Sequence, residues 1–433
     1  MSRLRCDSPA LTRCGPSTPS HRAPATCSRW DADGVPPVIF RKGLDLKHEV
    51  AGVLADSYHS QLVQQIKDSD YRYRAGRLSI FLAREFGFCY GVDRAVDYAY
   101  QARKRFPDRN VFLTGEIIHN PHVNDQLRAQ GIRILTDDGE SAGAVTPEDV
   151  VILPAFGVTV GELLRLSTVG CTLVDTTCGS VLNVWKNVTR YAKDGYTSVI
   201  HGKFWHEETQ ATASQALQTP GGHYLVILDR AEARSVCDYI RGEGHRESFF
   251  DRFAKAASPG FDPDVHLQRV GCANQTTMLS TESMQVGEMF RDAMRARYGD
   301  NNLAQRFRAF DTICSATQDR QDAVVRLLSE EPLDLMLVIG GYNSSNTCNL
   351  AKICADRVPT YHIADPEGLL SATDIRHRPV HEKVEVVSRE WLATTGPIRV
   401  GLTSGASTPD NLVEVAIKKL EAFTSSSPAP QRF

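Results

Sequence analysis

Three cysteines of this chain stand in the same local context, and it is a context in which a thiol can do chemistry. Asp175-Thr176-Thr177-Cys178 is echoed far downstream by Asp311-Thr312-Ile313-Cys314. Each follows a short apolar run (Thr172-Leu173-Val174; Phe310 and Ile313) and precedes a helical pattern (Val181, Leu182, Trp185, Val188; Ala323, Val324, Leu327, Leu328). A third instance is Phe86-Gly87-Phe88-Cys89-Tyr90-Gly91, which comes after Ile80-Phe81-Leu82 and before Val92, Ala95, Val96 and Ala99. Each cysteine is thus predicted where a strand turns into a helix, and there the helix dipole favours thiolate over thiol. Three such thiolates, if they converge, suggest a cubane iron-sulfur cluster: it normally takes four cysteines, so a missing one leaves an iron for substrate. Such a cluster is a Lewis acid as well as an electron carrier. Spacing alone leaves a second reading open, because free cysteines commonly just fill a core.

A second set of residues is suited to an anion. Val270-Gly271-Cys272-Ala273-Asn274-Gln275-Thr276-Thr277 joins a strand to a helix through hydroxyl and amide side chains. The pattern recurs in Ile339-Gly340-Gly341-Tyr342-Asn343-Ser344-Ser345-Asn346-Thr347 and in Leu402-Thr403-Ser404-Gly405-Ala406-Ser407-Thr408. Backbone N–H groups at a helix start, with short donors beside them, hold phosphate without bulk. The same residues can also simply cap a helix. His119 and the pair His206 and Glu208 lie beyond predicted strand ends, where they could serve one site as anion donors and proton source. No GxxxxGK[ST] sequence occurs, so a nucleotide P-loop is not indicated.

The elements that must position these residues alternate between strand and helix patterns, which predicts a parallel α/β architecture with ligands at the C-terminal strand ends. With 433 residues, 42% of them hydrophobic, there is material for two or three packed domains. Lysine plus arginine (49) nearly balance aspartate plus glutamate (52), so no global field argues for nucleic acid or an anionic membrane. No apolar run is long enough to cross a bilayer. The first forty residues interleave Arg3, Arg5, Arg13, Arg22 and Arg29 with Ser, Thr, Pro and Ala, the composition of an organelle transit peptide. Without an apolar secretory region, the eleven cysteines are not read as a disulfide framework. Residues 40 to 75 read as a partly helical extension that packs on the core, and 239 to 265 as a polar interruption.

Taken together, Gly87-Phe88-Cys89-Tyr90-Gly91-Val92, Glu116-Ile117-Ile118-His119-Asn120, His206-Glu207-Glu208-Thr209, Asn274-Gln275-Thr276-Thr277, Asp311-Thr312-Ile313-Cys314, Asn343-Ser344-Ser345-Asn346 and Thr403-Ser404-Gly405-Ala406-Ser407 resemble the 4-hydroxy-3-methylbut-2-enyl diphosphate reductase (LytB/IspH) family. The resemblance runs in order over roughly residues 78 to 420, and the extension is typical of the plant and cyanobacterial branch.

The resemblance implies three similar α/β domains in a pseudo-threefold arrangement around a central 4Fe-4S cluster. It implies Cys89, Cys178 and Cys314 as the cluster's ligands, with one open iron for the substrate's hydroxyl oxygen. Glu208 would be the proton source, with Thr276 near the hydroxyl; His119, His206, Ser344, Ser345, Asn346 and Ser407 would bind the diphosphate. The implied reaction is a two-electron reductive dehydration to isopentenyl and dimethylallyl diphosphates, the last step of the methylerythritol phosphate route to isoprenoids. Phe156 departs from the bacterial pattern, which has a histidine there, so one donor is absent. His122 and His201 receive no role, and Cys171, Cys237, Cys272, Cys348 and Cys354 are read as packing residues. The expected organisation is a disordered transit peptide (1–38), the extension (39–77), α/β domains over 78–177, 178–313 and 314–423, and a disordered tail (424–433). A ferredoxin-type electron donor and the plastid stroma are the expected partner and compartment; the oligomeric state is left open. A non-redox hydro-lyase and a non-enzymatic cluster-binding sensor are the competing functions.

Overall fold

The computed structural model describes residues 38–135, 145–310 and 312–425. The expected transit peptide falls outside the described residues but for Val38, as do Asp311 and the tail beyond Ser425. Among the described residues no helix is long and apolar enough to cross a membrane.

Among the described residues three large sheets form the core, beside a two-stranded antiparallel one of Asp374–His377 and Val386–Arg389. The first is parallel, in the order Ile39–Phe40, Thr172–Asp175, Val150–Leu153, Val111–Leu113, Ile132–Ile134. The second is also parallel: Phe307–Ala309, Val270–Asn274, Thr197–His201, Tyr224–Ile227. In the third, Thr360–Ile363, Leu335–Ile339, Ile398–Ser404 and Leu78–Leu82 are parallel, and Arg72–Ala75 closes the edge antiparallel. The central strands are near-continuous apolar runs because helices cover both faces.

The chain passes between these sheets at the three cysteines. Leu78–Leu82 belongs to the third sheet, yet the helix that follows Cys89, Tyr90–Arg105, buries Val92, Ala95, Val96 and Ala99 against Val111, Leu113 and Val174 of the first. Thr172–Asp175 lies in the first sheet, and the helix after Cys178, Gly179–Lys193, packs Val184 and Val188 near Ala273 of the second. Phe307–Ala309 is the edge of the second, and the helix after Cys314, Ser315–Glu330, packs Ala323, Val324 and Leu327 against Phe81, Met336 and Val338 of the third. Each cysteine therefore ends one α/β unit and starts the next, in a closed cycle. This corrects the expected start of the first domain at residue 78: the strand there belongs to the third sheet, and the crossing falls at Cys89.

The extension staples the first and third units. Ile39–Phe40 adds to the first sheet, helix Lys47–Tyr58 lies on Tyr90–Arg105 with Tyr58 and Tyr100 hydroxyls 3.0 Å apart, and helix Gln61–Asp68 sets Lys67 2.8 Å from Asp410 on the helix Asp410–Ser425. The helical pattern is broken between these two helices because Ser60 caps the second, accepting from the Val63 N–H. The segment 239–265 is not merely polar: Tyr239, Phe249, Phe253 and Phe261 are buried in the core of the second unit. Its charged residues drew the eye in the sequence, and its aromatic spacing carries the packing.

Candidate active site

Each cysteine is the residue immediately before its helix, with extended backbone: φ −84° and ψ 163° at Cys89, −63° and 142° at Cys178, −74° and 146° at Cys314. None caps its helix with the side chain, although Cys314 Sγ lies 3.0 Å from Thr317 Oγ1. Their backbone N–H groups are pinned in equivalent ways: Cys89 donates to the Ala406 carbonyl (3.1 Å), Cys178 to Ala155 (2.8 Å), Cys314 to Thr276 (3.3 Å). Those acceptors follow Ile398–Ser404, Val150–Leu153 and Val270–Asn274, one central strand from each sheet.

Three arginines tie the cycle together. Arg94 donates to the carbonyls of Thr176 (3.1 Å) and Thr177 (2.7 Å) ahead of Cys178, and Arg320 to that of Gly87 (2.8 Å) ahead of Cys89. Arg190 lies over the Phe310 ring, 4.8 Å from its centroid, ahead of Cys314. Each arginine sits on one unit's helix and holds the loop that delivers the next cysteine. The sequence reading passed over all three, since a helical arginine is ordinarily a solvated residue.

The thiols share one cavity of about 110 Å³, and Glu208, Thr276, His119, His206, Ser344, Ser345, Asn346 and Ser407 line it too. Every site residue expected from the sequence therefore meets the others here. Gly91 makes the approach possible: a Cβ on it would stand 2.6 Å from Cys178 Sγ and 3.9 Å from Cys89 Sγ. Burial pushes the Cys89 thiol up and that of Cys314 up to about 11, which reverses the expectation that the helix dipole alone makes them thiolates. Desolvation outweighs the dipole, and a bound cation is what would reverse the balance.

Glu208 is almost fully buried (3% exposed), and its Oε1 accepts the Thr276 N–H at 2.6 Å. Burial raises its carboxyl well above the usual range, against the opposing bond from Thr276. Such a group holds a proton where an exposed glutamate has lost it. His206 is not in a loop, as its neighbourhood suggested, but caps the helix Glu207–Ala216: its Nδ1 accepts the Glu208 N–H at 3.2 Å. Burial, followed by the charges of His119 and Lys203, holds its pKa down to about 3, so the ring is neutral and its proton is on Nε2. His119 donates from Nδ1 to Glu116 (2.8 Å) and stacks on Phe156 with ring centroids 4.8 Å apart.

The anion loops keep both readings. Ser344 caps the helix Ser345–Ala355, and its Oγ also accepts from Thr347 Oγ1 at 3.0 Å, which leaves its own proton free. Asn346 Oδ1 accepts the Ala406 N–H, while its buried Nδ2 has no partner among the described residues. Ser407 donates to the His119 carbonyl at 3.3 Å. Outside this cavity a larger one of about 740 Å³ opens past His119, Phe156 and His206, with Glu116, Glu162, Glu207 and Lys203 on its walls. His119, His206 and Glu207 bring ligand atoms within 4.8 Å of one another at that mouth, a second donor set, although the His206 Nδ1 is already engaged. His201 lies apart, its Nδ1 2.8 Å from Ser283 Oγ, and Cys171, Cys237, Cys272 and Cys354 are buried in the units' interiors. Cys348 is only partly buried and accepts from Arg378 at 3.0 Å.

Known proteins resemble this chain. The family described as "LytB protein" matches residues 80–421. The 4-hydroxy-3-methylbut-2-enyl diphosphate reductase of Synechococcus sp. (strain CC9311) is 48% identical over 389 residues, 89% of this chain and 96% of that protein. That of Thermosynechococcus vestitus is 48% identical over 388 residues, 89% and 94% of the two chains. Among solved structures, the E-1-hydroxy-2-methyl-but-2-enyl-4-diphosphate reductase from Plasmodium falciparum has the same fold, with a TM-score of 0.57 at 20% identity over 82% of this chain and 94% of that one. The chain belongs to the LytB family, with cyanobacterial 4-hydroxy-3-methylbut-2-enyl diphosphate reductases among its relatives.

Proposed function

We propose that this chain reduces 4-hydroxy-3-methylbut-2-enyl diphosphate to isopentenyl and dimethylallyl diphosphates, the last step of the non-mevalonate route to isoprenoids. The observation that carries the reading is one cavity lined by three thiols, a buried carboxyl whose pKa burial raises, and a cluster of hydroxyl, amide and imidazole donors. Cys89, Cys178 and Cys314 would hold a 4Fe-4S cluster with one iron free, and the donor set fits: three uncapped soft ligands, and a glycine where any side chain would strike sulfur. When bound, the cluster supplies electrons and Lewis acidity to the cavity.

The chemistry left to the protein is binding and proton delivery. The reaction breaks one C–O bond and forms one C–H bond, consumes two electrons and two protons, and releases water. Hydroxide is a poor leaving group, so the departing oxygen needs a proton, and Glu208 is the buried acid that holds one. The Thr276 N–H fixes the carboxyl that delivers it. His206 Nε2–H, Ser344, Ser345, Asn346 and Ser407, with His119, would hold the diphosphate, neutral donors for the most part. The stacked rings of His119 and Phe156 close one wall against water.

An anaerobic assay decides the matter. Cluster-loaded protein should oxidise a reduced viologen dye when the hydroxylated allylic diphosphate is added. A loaded chain that leaves the dye reduced would sink the reductase reading: turnover without electrons would then indicate a hydro-lyase, and no turnover a sensor. Gly91→Ala tests the cradle. Alanine favours the helix by about 1 kcal/mol over glycine, so the fold should persist while iron per chain drops severalfold. Full iron content in that variant would show that Cys178 is not held where the reading needs it. A ferredoxin-type donor and a plastid compartment complete the proposal, supported by the cyanobacterial relatives.

A further inference from the structure

Lys203 lines the outer cavity, and its surroundings are unusual for a lysine. It follows the strand Thr197–His201, and its backbone is held on both sides: its N–H donates to Gln275 Oε1 at 3.1 Å and its carbonyl accepts the His206 N–H at 3.0 Å. The side chain runs out of the second unit to the first residue of the helix Ser345–Ala355 in the third, where Nζ donates to Ser345 Oγ at 3.0 Å. No carboxylate of the described residues pairs with this ammonium. The charges that act on it are cationic, Lys352 and Arg378, together with the Cys348 thiol, and burial draws its pKa down. Although Glu116, Glu162 and Glu207 line the same outer cavity, a partly desolvated cation that none of them pairs with is an expensive arrangement unless an anion completes it.

Ser345 shows where that anion would be. Its Oγ accepts from Lys203 Nζ and also from Gln275 Nε2 at 3.3 Å. With both lone pairs engaged, its remaining function is to donate its own proton, and Ser345 lines the central cavity. Lys203 itself lines the outer cavity that opens past His206 and His119. The facing wall at Phe156 is a ring with no donor to offer.

We infer that Lys203 is the fixed positive charge of the diphosphate site, binding the phosphate end of the substrate across the boundary of the second and third units and turning the Ser345 hydroxyl toward it. This rests on the reductase reading for the identity of the anion. Lys203 is a binding residue: it acts on the diphosphate, not on the reacting carbon and oxygen.

The test measures affinity for inorganic diphosphate in the cluster-loaded full chain, by anaerobic calorimetry, over a series of salt concentrations. In Lys203→Met affinity should fall about 10- to 100-fold, as for a lost charge-assisted bond, and its salt dependence should become shallower. In Lys203→Arg the salt dependence should remain, since charge is kept. The substrate KM should rise in Lys203→Met far more than kcat falls. A second measurement needs no variant: acylation of Lys203 in the wild type, followed by mass spectrometry, should slow when inorganic diphosphate is present. Unchanged diphosphate affinity and salt dependence in Lys203→Met, or acylation indifferent to diphosphate, overturns the assignment even where the wild type turns over. A wild type that binds diphosphate but consumes no electrons overturns the reductase reading and leaves Lys203 standing.

Discussion

Glu208→Gln should lower turnover by about 10²- to 10⁴-fold, the usual range for losing a general acid, while leaving bound iron and sulfide unchanged. Glutamine keeps the shape and an oxygen to accept the Thr276 N–H, the contact of 2.6 Å in the wild type, but it has no acidic proton. Reduced-dye oxidation gives the rate, and metal analysis of the same sample gives the cofactor content. An undiminished rate would remove Glu208 from the chemistry. The pH profile adds a signed expectation. Burial raises this carboxyl, so its protonated, active form persists above the ordinary carboxylate range and activity falls as pH rises through the raised value. Stability follows the same sign. A folded-state pKa above the unfolded one stabilises fully below the unfolded value, and that contribution is lost as pH rises through the folded one. Above it the wild type carries a buried charge that glutamine lacks, and the variant should melt no lower than the wild type.

Cys314→Ser should abolish turnover together with the cluster's visible absorption, without unfolding the chain. Cys314 precedes the helix Ser315–Glu330 as its cap residue yet makes no capping bond from its side chain. Serine is among the preferred residues at that position, where its hydroxyl accepts an N–H of the first turn, a gain of roughly 0.5 to 2 kcal/mol. The metal-free variant is therefore expected to be at least as stable to heat as the metal-free wild type. The same argument applies to Cys89 and Cys178, which cap their helices with the same extended backbone. Full cluster content in any one of the three serine variants would exclude that cysteine as a ligand. A large loss of metal-free stability would mean that the thiol serves the core.

Much of this site was legible in the residues because its signals are local. A run of apolar residues, a cysteine, and then apolar residues at helical spacing specify strand, turn and helix within about twenty positions; this holds at Cys89 and Cys178, whereas ahead of Cys314 the strand is Phe307–Ala309, and Phe310, which is exposed, and Ile313 lie beyond it. The hydroxyl and amide loops after the strands could be placed at one edge for the same reason, since parallel strands present their C-terminal ends together. The segment 239–265 was misjudged where charge was weighed above spacing, as Phe249, Phe253 and Phe261 face inward.

Partnership between distant segments is not written in any short stretch of the chain. Nothing near Leu78–Leu82 states that it pairs with Ile398–Ser404, more than three hundred positions away, or that its helix leaves for another sheet. Nor does any window contain both Lys203 and Ser345, or Arg94 and the carbonyl of Thr177. The raised pKa of Glu208, Cys89 and Cys314 belongs to this second class as well, because desolvation depends on everything packed around a group. Local residue patterns specify which residues stand at the strand ends and in what conformation, since backbone preference and hydrophobic period act over a few residues. The tertiary structure decided which of them share a cavity and in what state of charge, since pairing and burial act between segments that the chain keeps apart.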